Sequence, residues 1–159
     1  MKRAFPAMPW GKARMTRIWI FALMVIAGAI SALQPGVNAR LAQRIGLLES
    51  AFVSFAGGAL FLLTAVLAFG RGNLRQVCGA APWEVTGGLM GAIYVTCLVL
   101  AVPRIGTAAA MAAAIAAQLA AGLVLDSMGA FGFQRLPIDP YRMAGVLLLF
   151  LGAFLVLKR

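Results

Sequence analysis

Three side-chain amides, Gln34, Asn38 and Gln118, stand inside apolar stretches that contain no charged residue. Each brings two donors and an acceptor, and in hydrocarbon such a group is costly unless it meets protein, water or a solute. Gln34 and Asn38 continue a spacing that starts at Ala27 and Ser31, in steps of four, three and four, which puts them on one helix face. Pro35 sits within that face and removes a backbone hydrogen bond, which predicts a kink and a free carbonyl near Ser31. Further along, Gly87, Gly91 and Tyr94 share one side of a helix, and Thr107, Met111, Ala114, Gln118 and Gly122 share one side of the next. The amides, with Ser31 and Tyr94 and bordered by Trp19 and Trp83, are expected to line a polar pathway. Their chemistry is neutral hydrogen bonding, suited to a small polar or amphipathic organic solute.

The competing reading of such stripes is a packing seam, because membrane helices associate through small residues and occasional hydrogen bonds. Ser54, Gly57, Thr64 and the ladder Ala108, Ala112, Ala116 and Ala120 fit it better than the amides do, and so does the hydroxyl of Ser31. Catalysis lacks its parts: the chain has no His, its four acidic residues lie near helix ends or in loops, and its two cysteines are Cys78 in a loop and Cys97 in an apolar stretch. Neither an enzyme, a metal site, a cofactor nor a disulfide scaffold is expected.

The elements that must position these residues are membrane spans. A bilayer core of about 30 Å needs roughly 20 apolar residues in a helix. Residues 18–39, 50–70, 85–103 and 105–125 meet that length without a charge, and 143–157 reaches it when its first turn starts near Ile138 and Arg142 and Lys158 extend toward the headgroups. Composition agrees, with 63% hydrophobic and 11% charged residues and a mean hydropathy of +0.96. The expected fold class is an all-α integral membrane protein of five transmembrane helices, at about 18–39, 50–70, 83–103, 105–126 and 138–157. They form one domain, 15–159, behind a basic extension, 1–14. Met15 is an alternative start, and Val37-Asn38-Ala39 offers a cleavage site that the length of the first apolar run argues against. The net charge of +10 points to anionic lipid headgroups of the bilayer and not to nucleic acid, because the basic residues sit in short loops and at the termini.

Positive charge also sets orientation, since cytoplasmic loops carry the excess of Lys and Arg. From Met15 onward one side holds Arg17, Arg71, Arg75, Arg135 and Arg142, and the other holds Arg40, Arg44, Arg104, Lys158 and Arg159. Five against five leaves almost no bias, so a chain that starts at Met15 is expected to insert both ways and pair antiparallel into a ten-helix homodimer; with residues 1–14 present, Lys2, Arg3, Lys12 and Arg14 add four charges that favour N-terminus inside, and a weakly biased single topology is the alternative. The Gly87 and Gly91 pair, or Gly145 and Gly152 one heptad apart, would supply close helix contacts in the dimer or within one subunit.

The run Ala32-Leu33-Gln34-Pro35-Gly36-Val37-Asn38-Ala39-Arg40-Leu41, with Ser54-Phe55-Ala56-Gly57-Gly58, Pro82-Trp83, Gly88-Leu89-Met90-Gly91-Ala92, Ala117-Gln118-Leu119 and Leu125-Asp126, resembles the five-helix YdcZ-type branch of the drug/metabolite transporter superfamily. The resemblance covers about residues 17–157. It departs at Ala117, where Gly is usual, and at Glu84, where an aromatic often follows the Trp. It implies a small multi-pass transporter of the bacterial cytoplasmic (inner) membrane, working by alternating access as an antiparallel dimer, with its fourth and fifth helices at the dimer contact. Small multidrug exporters of similar fold exchange protons through a carboxylate deep in the first helix, and the resemblance places neutral Gln34 there. Facilitated diffusion, or coupling through Asp126 or Glu84, is expected instead, although Asp126 also fits a helix-end residue paired with a basic group. A non-transporting assembly subunit and a dual-topology ion channel are the alternatives. The first predicts one fixed orientation, and the second a continuous polar file.

Overall fold

The computed structural model describes residues 10–132 and 134–158, and every regular element among them is helical. Five α-helices run Trp10–Ile45 (α1), Leu47–Phe69 (α2), Gly87–Ile105 (α3), Thr107–Met128 (α4) and Pro140–Leu157 (α5). All five contain a segment long and apolar enough to cross a membrane. Residues 1–9 of the expected basic extension lie outside the described residues.

The chain divides into two compact units, Met1–Gln34 and Pro35–Arg159. The described part of the first is a single helical stretch, which has no second element to form a core. The second holds the end of α1 and the other four helices, with α2 on α3, α3 on α4 and α4 along α5. Its buried apolar residues are small or medium, among them Ala39, Ala51, Val95, Val99, Ala109 and Ala116, whereas its Leu and Phe side chains are largely exposed. That inversion suits lipid as solvent: nothing drives Leu away from acyl chains, and small residues let backbones approach.

Two turns of one residue organise this unit. Gly46 joins α1 to α2 at φ 106° and ψ 162°, and Gly106 joins α3 to α4 at φ 82° and ψ 158°. Each follows an Arg-Ile pair, Arg44-Ile45 and Arg104-Ile105, so the same tripeptide recurs sixty positions on. Both conformations lie at positive φ, where a side chain is strained and glycine is not. The buried positions recur at the same offset: Pro35, Asn38, Ala39 and Ser50 in the first hairpin, Val95, Leu98, Val99 and Ala110 in the second. The second hairpin is held by apolar packing. In the first, Ser50 Oγ donates to the Asn38 carbonyl at 2.7 Å and Asn38 Nδ2 donates to Ser54 Oγ at 3.2 Å.

Helix ends differ from the sequence expectations where local chemistry overrides hydropathy. Arg40 does not end α1, because a charge does not break a helix; its Nη1 donates to Gln43 Oε1 at 2.9 Å and the helix runs on to Ile45. Residues 82–85 form a separate 3-10 turn before α3, with the Thr86 hydroxyl donating to the Trp83 carbonyl at 2.7 Å. α5 begins at Pro140 because Asp139 Oδ1 accepts the Tyr141 N–H at 2.8 Å as an N-cap. Its 18 residues rise about 27 Å, close to the core thickness.

Candidate functional site

Between α4 and α5 lies an open cleft of about 490 Å³ whose walls include Gln118, Leu123, Val146 and Leu149, with Asp126 and Arg142 at one end. It exists because both helices present small residues there: Gly122 on α4 and Gly145 on α5 line it, and a Cβ at either would meet open space. Arg142 Nη2 donates to Asp126 Oδ2 at 2.8 Å, with the two side chains 38% and 43% exposed. At that exposure an ion pair contributes only about 0–1 kcal/mol. It is therefore a weak staple for the fold and an accessible pair of opposite charges. Gln118 lies eight residues along α4 from Asp126, about 12 Å deeper, and its amide makes no hydrogen bond among the described residues.

The linker between α4 and α5 is folded against the charged end of this cleft. Gly129 adopts a left-handed conformation and donates to the Asp126 carbonyl at 3.2 Å, which also accepts the Leu136 N–H at 3.0 Å, while Arg135 Nε donates to the Met128 carbonyl at 3.1 Å. Phe131 stands at φ 58°, and its ring stacks on Trp83 at 5.7 Å between centroids. That stack joins the linker after α2 to the linker after α4, so both lie on the same side of the bundle.

Other expected pathway residues are placed differently from one another. Asn38 is 5% exposed and spends its amide and carbonyl on Ser54 and Ser50, so it holds a hairpin and does not face an open path. Tyr94 is half-buried on α3, and Trp83 is in the linker before it. Trp19, Ser31 and Gln34 lie on α1 in the first compact unit. Pro35 is accommodated inside α1, where its missing N–H leaves the Ser31 carbonyl without its usual helical donor. Glu84 Oε2 caps the Ala81 N–H at 2.7 Å, a local role in an exposed turn. Of the glycines, Gly91 faces the Phe55 ring of α2, where a Cβ would come within 3.2 Å, whereas Gly87 and Gly152 have no such neighbour. The hydroxyls of Thr64 and Thr96 bond carbonyls of their own helices, at 2.7 and 2.8 Å, and so require no solute.

In the sequence Arg142 stands out as an interfacial and orienting charge, whereas Phe131 and the burial of Ser50 do not stand out. The available signal for Arg142 was its position in the first turn of a span that follows Asp126 by one short linker; nothing local marks Phe131. No group of three or more His, Cys, Asp or Glu side chains among the described residues is disposed to hold a metal ion.

A family model described as "Putative inner membrane exporter, YdcZ" matches residues 19–155. The chain is also similar to the "Inner membrane protein YdcZ" of Escherichia coli (strain K12), at 26% identity over 149 residues that cover 91% of this chain and 99% of that protein. No solved structure matches it.

Proposed function

Because this chain belongs to the YdcZ family of inner membrane exporters, a family of membrane transporters and not an enzyme class, we propose that it moves a small polar or amphipathic organic solute by alternating access. The protein is a multi-pass protein of the inner membrane, with five helices of spanning length. The observation that carries the proposal is the α4–α5 cleft, with an amide free of hydrogen bonds deep in a span and an exposed ion pair at its end. A polar group at that depth is expensive unless a solute, water or another protein surface meets it.

The functional unit in this proposal is an antiparallel homodimer in the lipid bilayer. Five helices leave little room to enclose a site with two gates, whereas inverted halves hold substrate near the midplane and exchange conformations. Counted from Met15 onward, the even split of Arg and Lys between the two sides supports dual insertion. Gln118 is the primary substrate contact, Tyr94 and Trp83 are secondary candidates in the same compact unit, and Asp126 is the residue through which coupling would act; Trp19, Ser31 and Gln34 are candidates on the first unit taken by itself.

The test is flux. The full-length protein is reconstituted in liposomes and a set of small amphipathic organic solutes is followed across the bilayer, with Gln118→Leu as comparison. Saturable flux that falls at least ten-fold in the variant, with its melting temperature unchanged, supports the proposal. Flux confined to inorganic ions overturns it in favour of a channel.

A further inference from the structure

The geometry points to a more specific ligand for the α4–α5 cleft: a small zwitterion with an apolar body, its ammonium set on Asp126 and its carboxylate on Arg142. The inference rests on the transporter reading above and narrows its substrate class.

The first ground is the state of the ion pair. Asp126 and Arg142 share one contact, Nη2 to Oδ2 at 2.8 Å. The remaining carboxylate oxygen and the remaining guanidinium donors have no hydrogen-bond partner among the described residues. A guanidinium offers five donors and a carboxylate two acceptor oxygens, so most of the capacity on each side is unspent. A ligand of one sign gains little here, because the residue that attracts it stands 2.8 Å from one that repels it. A ligand carrying both charges meets both groups favourably, and spare sites let it bind before the pair has fully parted.

The second ground is what lies behind the pair. Leu119, Leu123, Val146 and Leu149 line the cleft inward of the charges, which suits an apolar body. Gln118 stands deeper, and a hydrocarbon tail could not satisfy its amide. That disfavours a lipid acyl chain as occupant and favours a solute that brings water or a polar end of its own. The volume, about 490 Å³, lies within the range of small-molecule sites.

The third ground is position. The Asp126 carbonyl is held by the folded linker through Gly129 and Leu136, and Arg142 stands in the first turn of α5 behind the Asp139 cap. The backbone that carries each charge is thus held by hydrogen bonds at the helix ends, so a ligand orders only the two side chains and not the segments that bear them.

The experiment is equilibrium binding to the purified full-length protein in nanodiscs, by calorimetry, with L-leucine, L-phenylalanine and glycine betaine, each compared with an analogue lacking the carboxylate and one lacking the ammonium. The expected result is that at least one zwitterion binds ten-fold or more tighter than both of its singly charged analogues, and that Asp126→Asn and Arg142→Gln each abolish that preference. Gly145→Leu, which fills the cleft from a position open to a side chain and leaves both charges in place, is expected to abolish binding too, so that loss cannot be ascribed to a broken ion pair alone. Zwitterions binding no better than singly charged analogues, or unchanged in all three variants, overturns the assignment. So does displacement of a tightly held phosphatidylethanolamine as the sole calorimetric signal. The same compounds followed in liposomes separate the two readings: zwitterion binding without flux of any solute leaves the cleft assignment standing and sinks transport, whereas flux of other solutes that persists in the three variants does the reverse.

Discussion

Trp83 stacks on Phe131 with ring centroids 5.7 Å apart and planes at 29°, and so ties the linker before α3 to the linker before α5. Phe131 makes this contact from a left-handed backbone conformation at φ 58° and ψ 17°, which costs a side-chain-bearing residue about 1–2 kcal/mol. The stack returns about 0.5–1.5 kcal/mol beyond the area it covers. The two are close enough that strain and stacking nearly offset, leaving the linker's own hydrogen bonds to decide its shape.

Two substitutions separate those contributions. Phe131→Ala loses the stack and keeps the strain, whereas Phe131→Gly loses both. We expect the alanine variant to melt lower than the glycine variant in detergent, by the equivalent of about 1 kcal/mol. Equal melting temperatures would mean that the backbone at Phe131 relaxes once its ring is gone.

The first hairpin should reveal which of its polar groups carry the packing. Asn38→Leu puts the second hairpin's residue, Leu98, in the equivalent place and leaves Ser54 without its donor. Interhelical hydrogen bonds in membranes are worth about 0.6 kcal/mol on average. The expected loss, read by unfolding in mixed micelles, is therefore near 1 kcal/mol, and Ser54→Ala added to it should restore part, because no hydroxyl is then left unmatched.

Gly46 and Gly106 should be costly to replace for the same reason. A Cβ at Gly106 meets no neighbour but sits at φ 82°; one at Gly46, at φ 106°, also overlaps the Glu49 carboxylate, which is the far end of a flexible side chain and can turn away. Gly46→Ala and Gly106→Ala are each expected to cost about 1–3 kcal/mol, because positive φ with extended ψ is essentially reserved to glycine. A near-neutral Gly106→Ala would show that the turn adopts another conformation.

Orientation is read by single cysteines near Arg75 and Arg44, on a chain lacking Cys78 and Cys97, labelled in intact cells with a membrane-impermeant thiol reagent. In a dual-topology protein each site labels in about half of the molecules, as balanced positive charge implies. Labelling at one site alone rules out the antiparallel homodimer and directs attention to an oppositely oriented partner.

Much of the architecture was legible in the chain. Spans are set by length and hydropathy, which act locally, and the five apolar stretches became five helices, four with ends shifted by at most four residues and α1 extended at both ends from 18–39 to Trp10–Ile45. The shifts came from caps and turns: Asp139 on Tyr141, and the hydroxyl of Thr86 on Trp83. The recurring Arg-Ile-Gly was visible too, although its meaning as a pair of equivalent turns needed the backbone angles.

The site was legible only in its residue types. Periodicity placed Gln34, Asn38 and Gln118 on helix faces but could not say what each face meets, because neighbouring helices are chosen by packing between segments far apart in the chain. Folding then treated similar amides in different ways: Asn38 is consumed by Ser50 and Ser54 across a one-residue turn, while Gln118 faces a cleft. For Asp126 the chain indicated a basic partner near a helix end but not which one, since its encounter with Arg142 depends on how the linker between them folds back. The chain alone determined the membrane as solvent and the number of helices, both of which follow from composition and the length of its apolar runs. Which polar groups pair and which remain free was decided by tertiary structure, because a hydrogen bond needs both partners within about 3 Å and properly aimed.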